Sequence, residues 1–373
     1  MAAEKPTGIL AALHRAGYEA YYVGGCVRDT LLGREIHDWD ITTSALPQEI
    51  MACFSNCIPT GIRHGTITVL LGGTQAEVTT YRTEGTYGDG RHPDQVHFVR
   101  TIREDLSRRD FTVNAMAMDE DGIVTDPFGG RGDVKKQILR CVGDPVQRFR
   151  EDALRMFRAL RFSAQLGFQL EEETGQAIVQ CASLSRNLSA ERIRDEMEKT
   201  LLSDYPERLD EMASMGLLDG YLEQSGASCR RISELPRERT VRWAGLCRCW
   251  PGLRLDALRL DRRTCQNAIR AAAAITPKTT LEWKRMIAEQ GSEFARLVAA
   301  LSGETAQVDG MLRSGQCLSL RDLAVTGSDL PWLHGKEVGG MLQYLLHHVL
   351  SNPDDNRREI LLEIARNRID YHF

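Results

Sequence analysis

Two carboxylates one residue apart, Asp38 and Asp40, close the segment VGGCVRDTLLGREIHDWD that begins at Val23. On a strand, residues i and i+2 point to the same face. Two carboxylates on one face suit a hard divalent cation, and Mg²⁺ usually keeps waters and substrate phosphates as its other ligands. Upstream, Gly24 and Gly25 follow a run that reads as strand and open one that reads as helix. A glycine turn there lets backbone N–H groups approach a triphosphate closely. An Asp-x-Asp alone is common, and a lone Gly-Gly is usually only a turn. At this spacing the two together imply nucleotidyl transfer with Mg²⁺ as cofactor.

Glu77 lies in AEVTTYR, the second arm of GTITVLLGGTQAEVTTYR, which reads as a hairpin turning at Gly72-Gly73. A third carboxylate from an adjacent strand would complete the metal site and help orient or deprotonate an attacking 3′-hydroxyl. An acid on a strand is equally an exposed face residue. The polar, glycine-rich stretch from Arg82 to Val99 interrupts packed elements and reads as a mobile loop near the active site. From Ser107 the chain reads SRRDFTVNAMAMD. Ser107 or Asp110 here satisfies a capping role. Alternatively, Arg109 contacts a triphosphate and Asp110 accepts from a ribose hydroxyl.

A second informative stretch, EDALRMFRALRF, spans Glu151 to Phe162. As one helix it sets Asp152 beside Arg155, with Arg158 and Arg161 continuing along the side and Leu154, Phe157 and Leu160 packing. The plain reading is a surface ion pair and a basic stripe. The functional one concerns base edges. Cytosine and adenine each present an amino donor beside a ring-nitrogen acceptor, which an Asp and an Arg complement. Uracil and guanine present a carbonyl and an N–H there, leaving both side chains mispaired. Such a pair selects C and A without a template.

These residues need a strand-and-turn scaffold followed by helices, and the chain supplies both. Runs such as YEAYYVGG, WDITTS, GTITVLL, AEVTTYR, VHFV and GIVTDP alternate with short helical stretches such as CVRDTLLG and PQEIMACF. After about Arg140 helical periodicity dominates, punctuated by Pro206, Pro236, Pro251 and Pro277. The fold class is α+β, a mixed head followed by an all-helical remainder. At 373 residues, 42% hydrophobic and 27% charged, the chain has the make-up of a soluble globular protein with more than one packed unit. No apolar run approaches bilayer-spanning length. The N-terminus reads as an amphipathic helix rather than a signal peptide. Ten cysteines without a C-x-x-C pair point to reduced core thiols of a cytoplasmic protein.

VGGCVRD, HDWD, RRDFTVNA and EDALRMFRALRFSAQLGF, in this order, resemble the signature motifs of the class II tRNA nucleotidyltransferase and poly(A) polymerase family, and within it the bacterial CCA-adding branch. The resemblance is specific over roughly residues 20–200. It continues more loosely through SAERIRDEMEK and TGSDLPWLHGKEVGGMLQYLLHHVL. It implies a polymerase-β-like head over 1–140, a neck over 141–200, a body over 201–270 and a tail over 271–373. It also implies CCA addition to tRNA 3′ ends from CTP and ATP. Asp38 and Asp40 then fall at metal-ligand positions and Glu77 at the third carboxylate. Gly24, Gly25, Arg28, Arg109 and Asp110 fall at nucleotide-binding positions. Asp152, Arg155, Arg158 and Arg161 match base-recognition positions of the neck helix.

Some relatives carry an HD phosphohydrolase domain. Here the only His-Asp pair is His37-Asp38, inside the metal motif, so no hydrolase activity is expected. The loop after the hairpin argues against a CC-adding member. The absence of a long, basic C-terminal extension argues against a poly(A) polymerase, while an A-adding member stays open. A non-catalytic tRNA-binding protein would have no need of the Asp38/Asp40 pair. Although the net charge is −5, the stretch from Arg230 to Arg285 holds fourteen Lys or Arg against five Asp or Glu. It reads either as a solvated helical face or as a phosphate-backbone surface, with Arg262 and Arg263 as tRNA contacts.

Overall fold

A computed structural model describes residues 4–84, 96–223 and 228–370. Strand β1 (Ala20–Val23) leads through Gly24 into helix α2 (Gly25–Leu32), and strand β2 (Asp40–Thr43) returns antiparallel to β1. After α3 (Pro47–Cys53) come β3 (Cys57–Gly61), β4 (Thr66–Leu71) and β5 (Thr74–Thr80). The β4–β5 turn is the expected one. Gly72 and Gly73 both take positive φ, 60° and 85°, as a twist-matched two-residue hairpin requires. With β8 (Ala117–Met118) and β9 (Val124–Thr125) these strands form one sheet in the order β3-β4-β5-β2-β1-β8-β9. Its strand β3 was not legible in the sequence. Pro59 interrupts that run and is tolerated because β3 lies on the sheet edge.

β5 runs parallel to β2, with Asp40 beside Glu77 and Ile41 beside Val78. Ile41, Ile67, Val69 and Val78 are buried, as are Ile9, Leu10 and Leu13 of α1 (Thr7–Arg15). Val23, Leu106, Ala115, Ala117 and Val142 form a further cluster that docks α4 (Ile102–Ser107) on the sheet. The two ends of the stretch expected as a mobile loop, Arg82 to Val99, instead pair as a short ribbon, β6 (Arg82–Glu84) with β7 (Val96–Phe98). Residues 85–95 of that loop lie outside the described residues.

Beyond β9 follow α5 (Gly130–Lys136), β10 (Ile138–Leu139), α6 (Pro145–Glu151), α7 (Leu154–Leu166) and β11 (Gln169–Leu170), which pairs parallel with β10. Helices α8 (Glu172–Cys181), α9 (Ala190–Leu201) and α10 (Arg208–Ser214) complete this region, and both α9 and α10 pack on α7. The single helix expected through Glu151–Phe162 is not formed. Asp152 is extended (φ −142°, ψ 105°) and separates α6 from α7. The Asp152 side chain accepts from the backbone N–H of Leu154 at 3.0 Å, a local bond that competes with helix continuation.

The chain divides into two compact units, Met1–Arg230 with Ala257–Arg259, and Arg231–Asp256 with Leu260–Phe373. The second is all-helical: α11 (Arg239–Cys249), α12 (Arg262–Ala273), α13 (Thr280–Gln290), α14 (Ser292–Ser302), α15 (Thr305–Arg313), α16 (Lys336–Ser351) and α17 (Arg358–Asp370). Its core holds Trp243, Trp250 and Trp283 fully buried. Among the described residues no helix is long and apolar enough to cross a membrane.

Candidate active site

The first unit carries an open cavity of about 640 Å³. Nine of the site residues expected from the sequence line it: Gly24, Gly25, Arg28, Asp40, Arg109, Asp110, Asp152, Arg155 and Arg158. Asp38 and Glu77 are exposed beside Asp40 rather than part of the lining. Trp39 between the two aspartates is buried, so Asp38 and Asp40 keep the alternation of a strand although β2 begins only at Asp40.

Asp40 is exposed as a residue, yet desolvation of its carboxyl pushes its pKa above the ordinary carboxylate value. Arg109 opposes this, and the like charges of Glu77 and Asp38 add to the rise. Three carboxylates that repel one another are relieved by a cation among them. Among the described residues no three His, Cys, Asp or Glu side chains are gathered tightly enough to hold a metal unaided. The donor set therefore fits a hard cation that takes its remaining ligands from water and substrate phosphate.

Arg109 has donors to spare. Its Nη1 reaches the Asn114 carbonyl and its Nη2 reaches Asp105, each at 3.5 Å, while its buried Nε has no hydrogen-bond partner. Buried donors left this weakly paired suit an anionic ligand. Gly24 is needed for the same approach. A Cβ there would lie 2.9 Å from Arg109 Nη1. Arg28 is held more firmly, donating to Asn114 Oδ1 at 2.7 Å and to both carboxylate oxygens of Asp29.

Asp105 was missed by the sequence reading. Fully buried, it accepts from Arg108, Arg109, the Arg82 backbone N–H and the Thr42 hydroxyl. Burial alone would raise its pKa, but Arg108 and Arg109 hold it below the ordinary value. Its i,i+3 and i,i+4 spacing to the two arginines was a visible signal, readable only as an ordinary helix ion pair. Arg108, Asn114, Phe162 and Arg192 also line the cavity and were not anticipated. Phe162 presents its ring to the guanidiniums of Arg28 and Arg158 at 5.5 and 5.3 Å, inside cation–π range.

Asp110 is committed to Arg158, whose Nε donates to Oδ2 at 2.8 Å, while Oδ1 accepts from the Phe111 backbone N–H. Burial would raise its pKa, but Arg158, then Arg155 and Asn114, bring it down from the ordinary carboxylate value to about 2. A depressed carboxylate favours the folded state above its unfolded value, and that contribution fades as pH falls from about 4 toward 2. It amounts to about 2 kcal/mol. The stability gap between the parent and Asp110→Asn should therefore narrow from about pH 6 to about pH 3 in urea titrations. An unchanged gap would mean that Asp110 is not ionised against Arg158.

Arg155 is pinned by Glu151 at 2.7 Å and by the carbonyls of Arg108 and Arg148. Arg161 is not part of the lining: it donates to Glu196 of α9 at 2.5 Å and to Gln165 at 3.0 Å, and its guanidinium lies 3.9 Å from the centre of the Phe162 ring. A three-residue step on a helix falls back about 60°, so two such steps carry Arg161 about 120° from Arg155.

In the second unit the basic stretch is of mixed character. Arg242 is buried and donates to the Leu235 carbonyl, and Arg248 donates to the Ala271 and Leu301 carbonyls, so both serve packing. Arg262 and Arg263 are exposed at the start of α12, and Arg263 pairs with Glu293 at 2.8 Å.

Residues 20–140 match the model of the Poly A polymerase head domain, and residues 167–225 that of the probable RNA and SrmB-binding site of polymerase A. The CCA-adding enzyme of Geobacillus kaustophilus is 42% identical over 98% of this chain and 97% of its own length. That of Anoxybacillus flavithermus is 39% identical over 96% and 95%. The crystal structure of the Bacillus stearothermophilus CCA-adding enzyme in complex with CTP superposes with a TM-score of 0.83 at 36% identity, covering 99% of this chain and all of that one. With identity of this order over nearly its whole length, and the head-domain model lying on the sheet that carries Asp40, the chain belongs to the CCA-adding enzyme family of nucleotidyltransferases.

Proposed function

We propose that the protein adds CCA to tRNA 3′ ends from CTP and ATP, without a template, releasing pyrophosphate. The observation that carries this reading is a single cavity. Its lining joins a glycine turn, Arg28, Arg109 and Asp40 to Asp152, Arg155 and Arg158. One end suits a triphosphate and the other the edge of a base. The relatives named above, CCA-adding enzymes with one bound to CTP, support the same reaction.

Asp38 and Asp40 would hold Mg²⁺, with Glu77 as the third carboxylate. When bound, the ion polarises the α-phosphate and makes the tRNA 3′-hydroxyl a better nucleophile. Glu77 orients that hydroxyl and accepts its proton. Arg109, with its unpartnered Nε, and Arg28, firmly held on Asn114, take up charge developing on the departing pyrophosphate. Gly24 and Gly25 bring the triphosphate against backbone N–H groups at the start of α2. Asp110, fixed on Arg158, faces the ribose end of the nucleotide. Asp152 accepts from the base amino group and Arg155 donates to the ring nitrogen, which selects C and A. Arg161 supports this wall from behind through Glu196. The exposed Arg262 and Arg263 bind the tRNA backbone.

Incubation with tRNAs ending at the discriminator base, at C and at CC tests the reading, with CTP, ATP or both supplied. All three should end in CCA when both nucleotides are present. Extension of the CC-ending tRNA alone would make the protein an A-adding enzyme, and no extension would overturn the proposal. In the same assay, charge reversal at Arg262 and Arg263 should raise the KM for tRNA and flatten its salt dependence. Unchanged values would leave α12 a solvated face.

A further inference from the structure

Asp38 stands outside both ladders that hold β2. Pairing of β1 with β2 ends at Tyr22 and Ile41, and pairing of β2 with β5 starts at Asp40 and Glu77. Between Arg28 and Ile41 the one buried residue is Trp39. Its ring centroid lies 4.9 Å from that of Tyr22, the two planes inclined at 59°. We propose that Trp39 and Tyr22 are positioning residues for the cation site. Trp39 anchors the extended backbone that carries both aspartates, and the Tyr22 ring fixes Trp39. The inference rests on the reading above that Asp38 and Asp40 hold the metal.

The need for such an anchor is electrostatic. Asp38 and Asp40 carry like charges that act on each other, so an untethered Asp38 would swing outward whenever no cation is bound. Mg²⁺ demands near-octahedral geometry and dehydrates reluctantly, so a pair that must first be gathered binds it less tightly. Trp39 supplies the tether from the opposite face, because alternation sends its side chain away from the two carboxylates. Tyr22 gives it a rigid floor. The Tyr22 backbone pairs with Ile41 on one side and Met118 on the other, and Lys5 Nζ stands 5.0 Å from its ring centroid. The ring rather than the hydroxyl is what matters. Among the described residues the buried Tyr22 hydroxyl has no hydrogen-bond partner, so phenylalanine would support Trp39 equally well.

The test uses the full chain and reads one binding and one kinetic quantity. The first is the dissociation constant for Mn²⁺, followed by the EPR signal of the free ion. The second is the Mg²⁺ concentration that half-saturates single-turnover extension of tRNA by CTP. Trp39→Ala and Tyr22→Leu should each raise both about tenfold. Tyr22→Phe should leave both at the parental values. Trp39→Ala added to Asp38→Asn should cost no further Mn²⁺ affinity, because the tryptophan acts only through the aspartate pair. A merely structural role would lower the melting temperature and the active fraction but leave both constants parental, and that result would overturn the inference. If Asp38→Asn raises both constants and the Trp39 and Tyr22 variants do not, the inference fails and the cation reading survives. If Asp38→Asn leaves them unmoved, the cation reading itself is wrong and the inference falls with it. Should Trp39→Ala or Tyr22→Leu not fold, Trp39→Leu decides, since it stays apolar but loses the aromatic contact: parental constants would overturn the inference.

Discussion

Replacing Asp40 with asparagine should lower nucleotide incorporation about a thousandfold while changing tRNA affinity less than about twofold. The side chain keeps its shape, so β2 and its pairing with β5 should persist. What disappears is the negative charge that Asp38 and Glu77 repel, the charge a bound cation would offset. Arg109 at the same time loses one of the two carboxylates whose charge it faces, Asp40 and Asp105. Both changes act on charge that develops during transfer, so the loss should appear in kcat rather than in tRNA binding. Single-turnover extension of tRNA, with filter binding alongside, makes the measurement. Turnover within about tenfold of the parent would remove Asp40 from the chemistry.

Gly24→Ala should be almost as damaging without removing any functional group. Gly24 sits at φ 77°, ψ −132°, a conformation essentially reserved for glycine, so any side chain there costs about 1–3 kcal/mol of backbone strain. A Cβ would also stand 2.9 Å from Arg109 Nη1 and 3.8 Å from Asp40 Oδ2. The guanidinium must then move, and displacement of about 1 Å at such a site lowers kcat/KM for CTP about a hundredfold. Gly33 provides the control. It also has positive φ, 64°, but a Cβ there meets nothing within 4 Å. Gly33→Ala should lower the melting temperature and leave kcat/KM near the parental value. Equal loss of activity in both variants would assign the Gly24 effect to general destabilisation.

The features legible in the chain were those encoded over short distances. Alternating apolar residues mark β4 and β5, and Gly72-Gly73 marks their turn because few other residues accept that backbone. The Asp38-Trp39-Asp40 alternation is a property of any strand-like backbone, so the carboxylate pair could be read before any fold was known. Three-residue spacing likewise put Arg155 and Arg158 on a common helix. Local reasoning failed where a side chain prefers its own backbone, as Asp152 does in bonding the Leu154 N–H and ending the helix expected to carry it. The arginine stripe likewise runs past the cavity lining, because the drift of a three-residue step sets Arg161 against Glu196.

By itself, then, the sequence determined which groups the chain offers: a carboxylate pair suited to a cation, a glycine turn suited to phosphates and the Asp/Arg set proposed to read C and A. Local periodicity and residue type suffice for that much. Tertiary structure decided which of these groups meet and what holds them. Parallel pairing of β2 with β5 sets Glu77 beside Asp40. The buried carboxylate of Asp105 gathers Arg108 and Arg109, and α9 delivers Arg192 to Asp152. Each of these contacts depends on a register or packing angle set by the whole core, and no local pattern in the chain encodes such a quantity.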